Sequence, residues 1–361
     1  MSRSKVRPTN VNALRPADIS VVMALGDSLT AANGARAGDM VGILRQYRGL
    51  SFSMGGDMDL DHHITIPNIL RKYNPKLFGY SRGIGPSHLW NASRFNMATP
   101  GAKARLLPQQ AQRLLRVLKE HNDSIDIKND WKLLNIFVGG NDLCAYCTNE
   151  TEFSAENYVS NIKKAIHIIK STVPRVLVNL VTMFNIDLVR QLDLANSKCQ
   201  GLHLVECSCE KNKTFTNSHM RAISNAYQIE QKKLEKSGIF DSDDFALVTQ
   251  PFFRDVFEAP KLSNGSINLE FFAPDCFHLS QTGHAVVASW IWKNMLEPVG
   301  KKTTNANLNN ASLPLPCPDP ACPFIRTVKN SKNCKKYLAP TVKKNKNSFN
   351  FLTNFFAKSV L

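Results

Sequence analysis

The feature that most constrains this chain is a short apolar run that stops on a glycine and turns polar at once: Val21-Val22-Met23-Ala24-Leu25-Gly26-Asp27-Ser28. A run of this length, rich in β-branched and aliphatic residues, suits a strand buried on both faces of a parallel sheet. Gly26 permits a tight turn after it. In open α/β sheets ligands sit outside the carboxyl ends of the strands, so Ser28 stands where chemistry is done. Asp-Ser after an apolar run is also a common helix N-cap. Other segments reaching the same place must decide between the two.

Three more runs repeat the pattern at 131–138, 175–181 and 245–249, and 94–98 is a shorter strand candidate. Between them, apolar residues recur at helical spacing over 107–121 and 155–171. Further helices are expected at 66–73, 218–237 and 281–295. Strands alternating with helices predict an α/β three-layer sandwich around a five-stranded, mostly parallel sheet. Residues 49–62 read as an exposed loop, and 185–213, with three cysteines, as a crosslinked insertion. The expected division is an N-terminal extension (1–17), one domain (18–300) and a basic C-terminal extension (301–361). The first part of that last extension is expected to pack on the domain and its end to be disordered.

The formal charge of +16 is concentrated late: from Lys301 onward there are eleven Lys/Arg against one acid, Asp319. A basic tail can attract anionic lipid headgroups, but the body carries no aromatic-interleaved basic motif, so no nucleic acid is expected. No run of eighteen apolar residues exists to span a bilayer. The start lacks the apolar stretch of a signal peptide. The nine cysteines lie mostly in Pro- or Asn-rich surroundings, which favours disulfides and an oxidising compartment. Six sequons, at Asn91, Asn122, Asn149, Asn212, Asn264 and Asn310, point the same way, towards a secreted or lumenal glycoprotein.

Three strand ends carry polar residues in the manner of an active site: Gly26-Asp27-Ser28, Gly139-Gly140-Asn141-Asp142, and the loop Asp275-Cys276-Phe277-His278 before the last helix. A serine hydroxyl needs a base as it attacks; histidine suits that role, and a carboxylate fixes its tautomer. Asp275 and His278, three residues apart, can share one turn. The N–H groups of Ser28 and Gly101 and the Asn141 amide are candidate donors to an oxyanion.

These blocks, with Gly101 inside Asn96-Met97-Ala98-Thr99-Pro100-Gly101, occur in the order of the SGNH, or GDSL-type, hydrolase family, which this chain resembles closely. The resemblance implies a flavodoxin-like SGNH fold, Ser28 as nucleophile, His278 as base, Asp275 as its partner, and an oxyanion hole of Ser28, Gly101 and Asn141. The stretches 13–19, 25–34, 47–51 and 66–71, with Gly140-Asn141-Asp142-Leu143-Cys144 and the Cys144–Cys147 spacing, resemble the phospholipase B branch. That branch implies a phospholipase B/lysophospholipase-type carboxylic ester hydrolase acting through an acyl-enzyme, without cofactor or metal. Its partner is a phospholipid or lysophospholipid, with peripheral contact to an anionic membrane surface as a further expectation; oligomeric state is left open. The rival readings are an esterase for carbohydrate or small-molecule esters and a non-catalytic lipid-binding relative.

Several residues are expected to be structural. Asp27 should brace the turn, His284 should be a packed histidine and His62-His63 a surface feature. Cys144–Cys147 is expected as a local disulfide and Cys199 as the partner of Cys207 or Cys209. Leu50, Phe52, Met54, Met58 and Leu60 either receive an acyl chain or fold back on the domain.

Overall fold

A computed structural model describes residues 2–212, 214–310 and 313–338. Among these residues four strands, β1 (Ile19–Gly26), β2 (Trp131–Phe137), β3 (Val176–Val181) and β4 (Phe245–Gln250), form one parallel sheet in the order β1-β2-β3-β4. Its register sets Gly26 opposite Phe137 and Leu180 opposite Thr249. All residues of β2, β3 and β4 are buried, as a sheet covered on both faces requires.

The expected fifth strand is not a strand. Its place beside β1 is shared by two short segments, each making one bridge, Val21 with Phe78 and Ala24 with Asn96. Phe78 N–H bonds Ser20 O at 2.9 Å, and Met97 N–H bonds Ala24 O at 2.9 Å. The three-layer α/β sandwich stands, with four strands and a composite edge. The chain thus leaves β1 for one side, at 78 and 94–99, and then crosses to the other side at β2. That reversal places a crevice at the carboxyl end of β1.

Among the described residues eleven α-helices follow in chain order: α1 (Ser28–Ala31), α2 (Ile66–Tyr73), α3 (Trp90–Ser93), α4 (Leu107–Glu120), α5 (Gly140–Ala145), α6 (Ala155–Lys170), α7 (Leu188–Ala195), α8 (Ser197–Glu206), α9 (Asn217–Lys236), α10 (Gln281–Leu296) and α11 (Val328–Lys332). The crossover helices α4, α6 and α9 pack against one another on one face. On the other face α2 meets α10, where Tyr73 lies 5.7 Å from Trp292 between ring centroids. Fully buried apolar side chains, Trp292 among them, contribute roughly 1.5–3 kcal/mol each.

Residues 49–62 are not an exposed loop throughout. Leu50, Phe52 and Met54 are core residues, Met58 is exposed and Leu60 is half-buried. Polar contacts draw the segment in. Asn135 Nδ2 donates to Ser53 O, Asn179 Nδ2 to Asn135 Oδ1 and Gln250 Nε2 to Asn179 Oδ1. This amide ladder crosses three strands and satisfies groups that burial would otherwise leave unpaired. Arg48, fully buried, donates to the carbonyls of Gly85, Asn96 and Ala98 and to Gln46 Oε1.

The first and last described segments are sewn to the domain. Ile325 N–H bonds Leu14 O, Asn330 Nδ2 donates to Asn12 O, and the Trp292 indole donates to Pro316 O. The basic segment beyond 338 lies outside the described residues.

Candidate active site

The serine turn is held by its neighbours. Gly26 has no room for a side chain: a Cβ there would lie 2.4 Å from Thr30 Oγ1 and 2.5 Å from Phe137 O. Gln110, from α4, clamps the same residue twice, accepting from Gly26 N–H at 2.9 Å and donating to Gly26 O at 2.8 Å. Asp27, not Ser28, is the N-cap of α1, with Oδ1 accepting the Leu29 N–H at 3.0 Å. The cap reading thus falls to Asp27, as expected of a bracing residue, and Ser28 is the first residue of the helix. Burial pushes the Asp27 carboxyl up to about 7, against the pull of the Leu29 N–H and of His278.

The segments that carry the other oxyanion candidates are tied to this turn and to each other. Thr99 N–H bonds Gly26 O at 3.1 Å, which ties the segment carrying Gly101 to the end of β1. Gly101 has φ +72°, with nothing within 4 Å of where a Cβ would be. Asn141, at the start of α5, donates from Nδ2 to Ala102 O at 3.1 Å. Asp142 accepts the Ala104 N–H at 3.0 Å, fixing the two loops to each other; burial raises its carboxyl to about 6.

Asp275 and His278 are in contact. His278 Nδ1 and Asp275 Oδ2 are 2.6 Å apart, the carboxylate side chain is wholly buried and the imidazole is 11% exposed. Asp275 Oδ1 also accepts the N–H groups of Phe277 and His278, which pins the loop to its own acid. Burial works against both charged forms, but the pair outweighs it: Asp275 is held below the usual carboxylate range and His278 above the usual imidazole value. With Nδ1 engaged, Nε2 is the nitrogen left for a reacting group. Leu29, next to Ser28, and Phe277 and Leu279, which flank His278, line one apolar cleft with Phe184, Leu188, Leu192 and Phe253. His278 also lies close enough to Asp27 for their charges to act on each other.

Three carboxylate and imidazole groups, from Glu206, Asp275 and His278, lie with ligand atoms within 4.8 Å of one another. Within this group His278 Nδ1 and Asp275 Oδ2 are hydrogen-bonded, and Glu206 is a third carboxyl beside them. Glu206 and Gln110 were not singled out by sequence; neither lies in a recognisable block. His284 is packed as expected, its Nδ1 accepting the Phe52 N–H at 3.2 Å. His62 is exposed, but His63 is buried with Nε2 at 2.9 Å from Leu50 O, a correction to the surface expectation.

The cysteine pairing also differs from expectation. The pairs are Cys144–Cys207, Cys147–Cys209, Cys199–Cys276 and Cys322–Cys334, with Cys317 free and exposed. A local Cys144–Cys147 bridge would have joined two turns of one segment. Instead both cysteines reach the insertion, and Cys199 reaches the loop of the acid–base pair.

A GDSL-like lipase/acylhydrolase model matches residues 22–291. The membrane-associated phospholipase B1 of Mus musculus is 42% identical over 332 residues, 90% of this chain and 22% of that protein. Its Homo sapiens counterpart is 43% identical over 333 residues, again 90% and 22%. The chain therefore spans about a fifth of the length of these curated relatives. Among solved structures, an acetylxylan esterase from Geobacillus stearothermophilus aligns with a TM-score of 0.37 and 17% identity, over 76% of this chain and 94% of that one. On the family match across most of its length, this chain belongs to the GDSL-like lipase/acylhydrolase family.

Proposed function

We propose that this chain is a serine esterase of the phospholipase B/lysophospholipase type, cleaving fatty acyl esters of phospholipids and lysophospholipids. Ser28 Oγ attacks the acyl carbonyl while His278 Nε2 takes its proton, and Asp275 holds the imidazole and stabilises its cation. The N–H groups of Ser28 and Gly101 and the Asn141 amide carry the oxyanion charge. The imidazolium then gives its proton to the leaving alcohol. Water, activated by the same base, releases the fatty acid. No step calls for a metal or organic cofactor.

The observation that carries this reading is the 2.6 Å Asp275–His278 pair at the wall of the cleft that Ser28's own neighbour lines. The cleft is almost wholly apolar, which favours a fatty acyl group over a sugar ester. The core positions of Leu50, Phe52 and Met54 remove them as acyl contacts.

The four disulfides among the described residues fit folding in an oxidising compartment, which supports a secreted or lumenal location. No described helix is long and apolar enough to cross a membrane. Contact with an anionic lipid surface would be peripheral.

The test pairs lysophosphatidylcholine and short p-nitrophenyl esters with wild type and Ser28→Ala. Preferred turnover of the lipid, lost in the variant with its melting temperature nearly unchanged, is expected. Comparable or better turnover of the short esters would shift the substrate class, and retained hydrolysis by the variant would remove Ser28 as nucleophile.

A further inference from the structure

The insertion after β3 is bound to both loops of the candidate site. Cys207 and Cys209, at and beyond the end of α8, join Cys144 and Cys147, just past Asn141. Cys199, in the first turn of α8, joins Cys276, between Asp275 and His278. Cys276 has φ +61°, a left-handed conformation that a non-glycine residue adopts only when its surroundings hold it there. A second contact from α8 does so: His203 Nε2 lies 3.2 Å from Cys276 O, while its Nδ1 is 2.5 Å from Asp193 Oδ1.

On the same helix, one turn further, Glu206 reaches the acid–base pair. Its position is costly for folding. It is the last residue of α8, where a negative charge opposes the helix dipole. It is half-buried, and its Oε2 is shielded from solvent without a hydrogen-bond partner among the described protein groups. Its neighbours in charge are Asp275, which repels it, and His278, which attracts it.

We infer that Glu206 is a second acidic partner of His278, a positioning residue that the insertion supplies to the acid–base pair from outside the four blocks. This rests on the reading of His278 as base. As the serine proton arrives, the imidazole becomes cationic, and a carboxylate at this distance stabilises that cation more than the neutral ring. Asp275 fixes the ring through Nδ1; Glu206 adds charge without competing for that bond. The groups that act on the imidazole are thus Asp275 and Glu206 from the loop and α8, and Asp27 from the serine turn. Burial and the proximity of Asp275 push the Glu206 carboxyl up to about 7, so its charge develops over the range in which the base itself becomes active.

The experiment compares kcat/KM against pH for wild type, Glu206→Gln, Glu206→Asp and Ser28→Ala, with thermal melts of each. Glu206→Gln keeps the shape and removes the charge. The acid limb should move to lower pH by about one unit, with a roughly tenfold lower plateau, since one pKa unit corresponds to a tenfold change. At pH 8 the Gln variant should melt higher than wild type, because a half-buried carboxylate has been removed, and Glu206→Asp should restore part of the limb position. A Gln variant that loses rate with an unmoved limb and an unraised melting temperature would overturn the inference, leaving Glu206 a packing residue. If Ser28→Ala retains hydrolysis, the nucleophile assignment falls instead, whatever the Glu206 variants do.

Discussion

At the scale of single residues, the account turns on groups whose surroundings move their charge. His278 is held above the usual imidazole value, so the neutral base is formed only at higher pH. The acid limb of kcat/KM should therefore lie above the ordinary value of about 6.5, and a profile flat from pH 5 to 9 would count against the base. Asp275, held low by the same pair, stays ionised throughout that range and adds no limb of its own. Asp275→Asn should keep the fold while lowering kcat by as much as about 10⁴-fold; steady-state kinetics beside a circular dichroism spectrum check both halves. Ser28, Asp275 and His278 were legible as candidates because residue types suited to catalysis stand in short blocks at strand ends. The support around them was not: Gln110 lies 84 positions from the glycine it clamps, and a glutamine in a helix signals nothing by itself. Gly26 was legible as a glycine needed at a turn, but the reason is the lack of space for a Cβ. Gly26→Ala should lower stability by about 1–3 kcal/mol through overpacking, measured by denaturant unfolding.

At the scale of elements, the four strands were readable from their apolar runs and the crossover helices from their periodicity, because both faces of the sheet are covered and the helices bury one side. The edge beside β1 was not readable as two pieces. Residues 94–98 look like a strand, yet the bridge at Asn96 is a single one, and Phe78 fills the rest of the edge from a segment with no alternation of its own. The disulfides show a similar limit. Spacing along the chain suggested near neighbours, whereas three of the four pairs close loops of 62 to 77 residues and join separate loops of the site. Removing the Cys199–Cys276 link should cost about 2–4 kcal/mol and also lower kcat/KM, because of the two contacts from α8 to Cys276 only that of His203 then remains. A Cys199→Ser/Cys276→Ser variant with a lower melting temperature and unchanged turnover would show that the link serves stability only.

At the scale of the whole molecule, the segments on either side of the domain are joined to it and to each other. Thr327 Oγ1 donates to Asn12 Oδ1 at 2.5 Å, and the Trp290 indole donates to Asn307 O. A chain ended at residue 300 would uncover Trp292, Met295 and Leu14, all buried in the intact molecule. It is expected to melt well below the full chain and to be cut faster by protease; an unchanged melting temperature would mean that the later residues only lie on the surface. Composition marked the late segment as basic and Pro-rich, and its first part was expected to pack on the domain, but the individual contacts were not legible: the residues buried there, Ala306, Leu308, Phe324 and Ile325, follow neither helical nor strand spacing, and the other contacts are backbone carbonyls and asparagine side chains. The central claim, that one hydroxyl on this fold is the nucleophile, is tested most directly by treating the purified protein with a fluorophosphonate and locating the adduct by peptide mass spectrometry. The account predicts a single modified serine, Ser28, with esterase activity lost in step with its labelling. An adduct on another residue, or full labelling of Ser28 with activity intact, would contradict it.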